Sequence, residues 1–323
     1  MTRRTAQRRE MRAHGLVGLL TLLSAAQPCL TYTLITFDVD GTLVKGSGQS
    51  ADASAHMRSF AHGVGTVFGD GSPTPLPAEI LPGAGYHGST DGLISLRLAR
   101  AALGVEPSDA APKLPDVFRA MYEYCANLSD EVMTVGIEPL PGVIATLNVL
   151  ADREDVVCGL VTGNVEGIAR KKMRAVGILA TGALAPPAAD QSWPTEKEAA
   201  FLGGFGSDYC SGDVDDAKHN YLDRGEQIAI AARRARTLIG EGTLTRVVHV
   251  GDAPADVLAA KHCADARRLG EGVVVGCVGV ATGSYSAELL REKAGDARPG
   301  EWEPIILERG IADEKFLEAC GVE

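Results

Sequence analysis

Leu34-Ile35-Thr36-Phe37-Asp38-Val39-Asp40-Gly41-Thr42-Leu43 decides how the rest of the chain is read. An apolar, β-branched run stops at two carboxylates and a glycine, which is the pattern of a buried strand followed by a turn. In an open parallel sheet, chemistry gathers at the carboxyl ends of the strands, so Asp38 and Asp40 belong in that crevice. Two carboxylates this close repel unless a cation sits with them. Mg²⁺ favours hard oxygen ligands and leaves sites for water and a substrate phosphate. A turn after Asp38 allows both carboxylates to share one metal, with Asp38 as nucleophile and Asp40 as general acid and base. The plainer alternative is a polar turn whose Asp side chains cap backbone amides.

Further along, the same pattern returns. Val156-Val157-Cys158-Gly159-Leu160-Val161 is a second buried strand, ending in Thr162-Gly163-Asn164 before a helix near Val165. A hydroxyl, a glycine and a helix N-terminus make a natural phosphate site, although Thr162 or Asn164 also suits a simple N-cap. Val247-Val248-His249-Val250 runs into Gly251-Asp252-Ala253-Pro254-Ala255-Asp256, with a helix from Pro254. Val273 to Val280 supplies one more buried strand, followed by the loop Thr282-Gly283-Ser284. Strands alternating with helices predict an α/β fold, a doubly wound parallel (Rossmann-like) sheet. A peripheral strand and helix are expected after Asp296.

Between the first two strands lies an insertion, residues 45–138. Its first part, Ser47 to Pro82, is rich in Gly, Ser, Ala and Pro, which predicts loop or weak order. Leu93, Ile94, Leu96, Leu98 and Ala101 then follow helical spacing, as do Val117, Phe118, Met121, Tyr122 and Cys125. The insertion therefore reads as a helical cap over the crevice, and 32–44 with 139–323 as the α/β core. Pro141 and the pattern Val143, Leu147, Leu150 place a helix at the return to the core. Lys171, Lys172 and Arg174 read as solvent-facing charges on the helix after Asn164. Residues 179–222 are the least regular, with a short glycine-rich strand expected near Phe201–Asp208 and no visible partner for His219.

The first 31 residues form a leader. Arg3, Arg4, Arg8, Arg9 and Arg12 face one Glu10, and a short apolar run from Leu16 leads to Ser24-Ala25-Ala26. This layout fits a cleaved targeting peptide, organellar or secretory; the alternative is a frayed extension of a cytoplasmic enzyme. The apolar run is too short for stable membrane insertion. With 31 Lys and Arg against 42 Asp and Glu, the net charge of −11 argues against a nucleic-acid partner. Seven scattered cysteines, none in a Cys-x-x-Cys pair, argue against a disulfide framework. Cys158 and Cys277, inside apolar runs, read as buried small hydrophobes.

Phe37-Asp38-Val39-Asp40-Gly41-Thr42 resembles the first signature of the haloacid dehalogenase superfamily. Thr162 closing a strand resembles the second, and Gly251-Asp252 through Asp256 resembles the fourth. The resemblance covers Tyr32 to Ser284. It implies phosphoryl transfer through an aspartyl-phosphate on Asp38, with Mg²⁺ held by Asp38, Asp40 and Asp252 and supported by Asp256. It also implies phosphate contacts from Thr42, Gly163 and Asn164. The third signature requires a cation, since phosphoryl oxygens and carboxylates need balancing charge. Arg224, ahead of the run Ile228 to Ala235, stands where relatives most often carry Lys; Lys218 is the other candidate, and Lys197 lies too far upstream. Gly88-Ser89-Thr90-Asp91 resembles a cap segment of phosphoglycolate-phosphatase-like members, which implies substrate contacts from Thr90 and Asp91, although Ser89 replaces a frequent Lys. The lone His87 reads as structural.

The expectation is thus a Mg²⁺-dependent phosphatase for a small phosphorylated metabolite. The acidic Asp40 separates the chain from the dehalogenase branch of the resemblance. A sugar-phosphate mutase, a phosphonate hydrolase or a non-catalytic binding module on the same fold are the other readings. The phosphonate reading calls for an imine-forming Lys, and Lys45 and Lys113 are the insertion's only lysines. Oligomeric state is not fixed by the sequence.

Overall fold

The computed structural model describes residues 31–45, 54–80, 88–178, 202–240 and 242–322. Residues 1–30 of the leader, His87 and Lys197 lie outside the described residues. The opening motif becomes β1 (Tyr32–Phe37), followed by the short β2 (Val44–Lys45). Five helices come next: α1 (Ala55–Phe68), α2 (Asp91–Leu103), α3 (Pro107–Ala110), α4 (Leu114–Ala126) and α5 (Asp130–Met133). The chain returns through β3 (Glu138–Pro139), α6 (Val143–Ala151), β4 (Val156–Thr162), α7 (Glu166–Ala175), β5 (Leu202–Phe205) and α8 (His219–Ile239). It ends with β6 (Leu244–Gly251), α9 (Pro254–Asp265), β7 (Val274–Val280), α10 (Ala287–Ala294), β8 (Trp302–Leu307) and α11 (Phe316–Ala319).

Six strands form one parallel sheet in the order β5-β4-β1-β6-β7-β8. The order reverses at β1, so the first carboxylate motif sits at the switch point, flanked by the Thr162 and Asp252 motifs on β4 and β6. That is where an open α/β sheet parts its loops and leaves a crevice. Side chains alternate between the two faces with a period of two. Ile35, Phe37, Cys158, Leu160, Val248 and Val250 enter one core with α6, α7 and α11. Leu34, Val157, Val161 and Val247 enter the other, under α8, α9 and α10. The described cysteines are free, and Cys158 and Cys277 are buried.

Between β2 and β3, which pair antiparallel, the five helices build a third apolar cluster around Phe60, Leu96, Val117 and Met121. The expectation of loop from Ser47 to Pro82 fails over α1. Its small residues serve packing: a Cβ on Gly63 would sit 2.6 Å from Met121 Cγ and 3.0 Å from the Val117 carbonyl, so glycine lets α1 and α4 approach closely. Ser54 caps the helix by accepting from Met57 N–H.

Helix α7 belongs to two cores. Ala169 and Met173 pack into the sheet cluster, while Val165 and Ile168 pack into the inserted one. The helix is therefore covered on both sides, and the expected solvent-facing Lys171 and Lys172 are buried. Lys171 Nζ lies 3.6 Å from Asp130 on α5, which Arg174 also meets. His219, without a visible partner in the sequence, pairs with Asp213.

Candidate active site

Beyond Phe37 the chain coils tightly. The N–H groups of Leu43 and Val44 both donate to the Val39 carbonyl, and Gly41 N–H donates to Val44 O. Gly41 adopts φ +89°, where an L side chain is strained, and a Cβ there would collide with the Asp252 carboxylate. This coil directs Asp38 and Asp40 apart. Asp38 faces β6, and Asp40 faces α7.

Asp38, Asp252 and Asp256 bring carboxylate oxygens within 4.8 Å of one another, all buried. Arg224, from the second turn of α8, pairs with Asp256 and lies 3.2 Å from Asp38 Oδ2. Lys218 is exposed at the start of α8, so Arg224 is the cation at this site. Asp256 also accepts the N–H of Ala253 and faces His249 Nε2 at 3.3 Å, while His249 Nδ1 meets the Thr36 hydroxyl. Thr42 Oγ1 donates to Asp252 Oδ1, and Thr282 Oγ1 donates to Gly41 O, so the loop after β7 closes the rim.

The electrostatics follow. Burial pushes Asp256 up, but Arg224 and then His249 overcome it and bring it to about 2. Burial pushes Asp38 up to about 6, because Arg224, shared with the closer Asp256, offsets only part of that cost. Burial, with the charges of Asp256 and Asp38, pushes Asp252 up to about 8. Once all three are ionised, the buried carboxylates against one guanidinium leave two negative charges in excess. An all-oxygen donor set with that deficit fits one hard divalent cation.

Asp40 was expected to contribute its carboxylate to the same cation. Its carboxylate instead accepts from Lys172 Nζ at 2.7 and 3.0 Å and from Asn164 Nδ2 at 3.1 Å. The opposite charge it needs comes from α7, and Asp256 takes the third place in the acidic cluster. Burial raises the Asp40 carboxyl, but Lys172 and His56 outweigh this and hold it below the usual range. Its side chain stays 37% exposed, within reach of a substrate.

Thr162 ends β4, and its hydroxyl accepts from Asn164 N–H. Gly163 lies against the insertion: its carbonyl accepts from Asp91 N–H, and a Cβ would sit 2.5 Å from the Ser89 carbonyl and 3.2 Å from Arg224 Nη2. Thr90 and Asp91 reach this loop but are buried in holding the structure together. Thr90 caps α2. Asp91 Oδ2 accepts from Val165 N–H at 2.7 Å and faces His56 Nε2 at 2.9 Å. Sequence reasoning missed Lys172, His56 and His249. Only His249, a polar residue inside the apolar β6 just ahead of Asp252, carried a local signal.

A parallel sheet with its acidic cluster at the switch point, against an inserted helical unit, defines a doubly wound α/β protein with a crevice fit for a cation. The chain belongs to the haloacid dehalogenase-like hydrolases, whose family model matches residues 32–263. Among solved structures it is similar to a haloacid dehalogenase-like hydrolase of Streptococcus pneumoniae, at 14% identity and a TM-score of 0.38, covering 88% of this chain and 96% of that one. No curated protein matches the sequence. Among the described residues, no helix is long and apolar enough to cross a membrane.

Proposed function

We propose that this hydrolase is a Mg²⁺-dependent phosphatase that cleaves a small, phosphoglycolate-like phosphomonoester through an aspartyl-phosphate on Asp38. The observation that carries the reading is the division of labour between the two carboxylates of the opening motif. Asp38 sits in the acidic cluster beside Arg224, while Asp40 is held separately and remains accessible. Nucleophile and acid–base catalyst need those different settings.

Asp38, Asp252 and Asp256 are the residues that would hold Mg²⁺, which supplies charge neutralisation for the phosphoryl oxygens. A carboxylate oxygen of Asp38 attacks phosphorus in line, and the bond to the leaving alcohol oxygen breaks. Asp40, whose carboxyl the negative charge of the bound phosphate raises, delivers its proton to that oxygen. Arg224 and the Thr162 hydroxyl stabilise the phosphoryl oxygens. Asp40 then takes a proton from a water that attacks the phosphorus, releasing inorganic phosphate and restoring the Asp38 carboxylate. The Gly88–Asp91 segment against Gly163 supports a substrate enclosed between the insertion and the sheet.

The test is hydrolysis of p-nitrophenyl phosphate and of phosphoglycolate, with and without Mg²⁺, by wild type and Asp38→Asn. Mg²⁺-dependent turnover that disappears in the variant is expected. Equal rates for the two proteins overturn the assignment.

A further inference from the structure

We propose that Lys172 is the positioning residue of Asp40, and that His56 of the insertion fixes Lys172 in that role. This rests on the phosphatase reading and assigns to it a pair of residues from outside the acidic cluster.

The Lys172 side chain is 2% exposed and meets acceptors from three separate segments. These are both oxygens of Asp40 after β1, Asn164 Oδ1 at 2.7 Å after β4, and His56 Nδ1 at 3.2 Å on α1. An ammonium group only donates, so His56 Nδ1 accepts from it and Nε2–H donates to Asp91. Asp91 also takes the Val165 N–H, and the His56 ring packs on Phe60 with centroids 5.0 Å apart, so the imidazole is fixed on every side. The hydrogen bonds therefore run outward from Lys172 in two arms. One ends on Asp40 and the other on the joint between insertion and sheet.

Stability alone does not explain this arrangement. Burying an ammonium costs several kcal/mol before pairing, and its partner here is a partly exposed carboxylate that water solvates readily. What the arrangement does supply is orientation. Asn164 and Lys172 grip both Asp40 oxygens and fix its rotamer, and Lys172 is in turn held by the insertion. Proton transfer needs that geometry at the leaving oxygen and at the attacking water.

A positioning role gives a signature that a structural one does not. Nitrophenolate departs without a proton, whereas an alkoxide needs one. In Lys172→Met, kcat/KM for phosphoglycolate is expected to fall ~100-fold or more, the usual worth of a general acid–base group. kcat/KM for p-nitrophenyl phosphate stays within about 3-fold of wild type, while its kcat falls and a burst of nitrophenol marks slowed hydrolysis of the acylphosphate. His56→Leu shows the same split, and His56→Asn, whose amide oxygen replaces Nδ1 as acceptor, restores most of the lost rate. Parallel losses on both substrates, or none, overturn the proposal. Inactive wild type, or an Asp38→Asn that matches it, condemns the phosphatase reading instead. The crystal structure of Lys172→Met then decides the positioning claim by itself: Asp40 is expected to leave its wild-type rotamer, and an unmoved carboxylate refutes the role.

Discussion

Arg224 serves two carboxylates with one guanidinium, and the division is unequal. Asp256 takes the nearer contact and its carboxyl is brought down to about 2, while Asp38 is left with a raised carboxyl in the same acidic cluster. Both contacts come from Nη1, at the end of a planar guanidinium whose reach and shape an ammonium does not reproduce. Arg224→Lys is therefore expected to fold with near-normal stability yet lose ~100-fold in kcat, the scale of one removed transition-state donor. Arg224→Met leaves Asp256 buried with only His249 and the Ala253 N–H against its charge, and thermal denaturation is expected to report a loss of about 3–5 kcal/mol. A Met variant as stable as wild type contradicts the pairing. At this scale the sequence showed which carboxylates gather, because Asp38 and Asp252 each follow an apolar strand and Asp256 opens the helix after the second. It did not show where the Asp40 carboxylate points. That direction depends on Lys172, 132 positions away in the chain.

Among the elements, the strands were legible, whereas the burial of α7 and the existence of α1 were not. β1, β4 and β6 are buried on both faces, so their sequences are continuous apolar runs that end where the chemistry begins. Helix α7 reads Glu166-Gly-Ile-Ala-Arg-Lys-Lys-Met-Arg-Ala and looks like a solvated helix. Its cover comes from the insertion, a tertiary contact with no trace in local spacing. Helix α1 was hidden by glycines that look like loop residues and in fact permit contact with α4. Its first turn carries His56, so its cap has consequences beyond α1 itself. Ser54→Ala is expected to destabilise the protein by ~1 kcal/mol, the usual cost of a lost N-cap. Melting temperature and phosphoglycolate turnover should fall together, and a variant with unchanged melting would show that the cap is idle.

For the molecule as a whole, the acidic cluster links stability to pH and metal. In the fold Asp252 keeps its proton up to about 8, whereas the unfolded chain releases it near 3.8. Between these values the unfolded state binds fewer protons, so the metal-free protein loses stability as pH rises. Asp256 works in the opposite sense: it stabilises above 3.8, and that contribution is lost as pH falls towards 2. Chelated protein is therefore expected to melt at least ~3 °C lower at pH 8 than at pH 5, with Mg²⁺ or Asp252→Asn removing most of the difference. A metal-free melting temperature flat over that range would refute the cluster's electrostatics.

Helix α7 has one more implication, for engineering. A chain spliced directly from Val44 to Glu138 would strip one wall from α7, laying Val165 and Ile168 open to water and leaving Lys171 and Lys172 without Asp130 and His56. The shortened protein should clump on expression, so a minimal catalyst cannot be carved from this hydrolase by trimming loops. Swapping in a foreign insertion will succeed only if the graft brings its own greasy seat and its own imidazole for that helix.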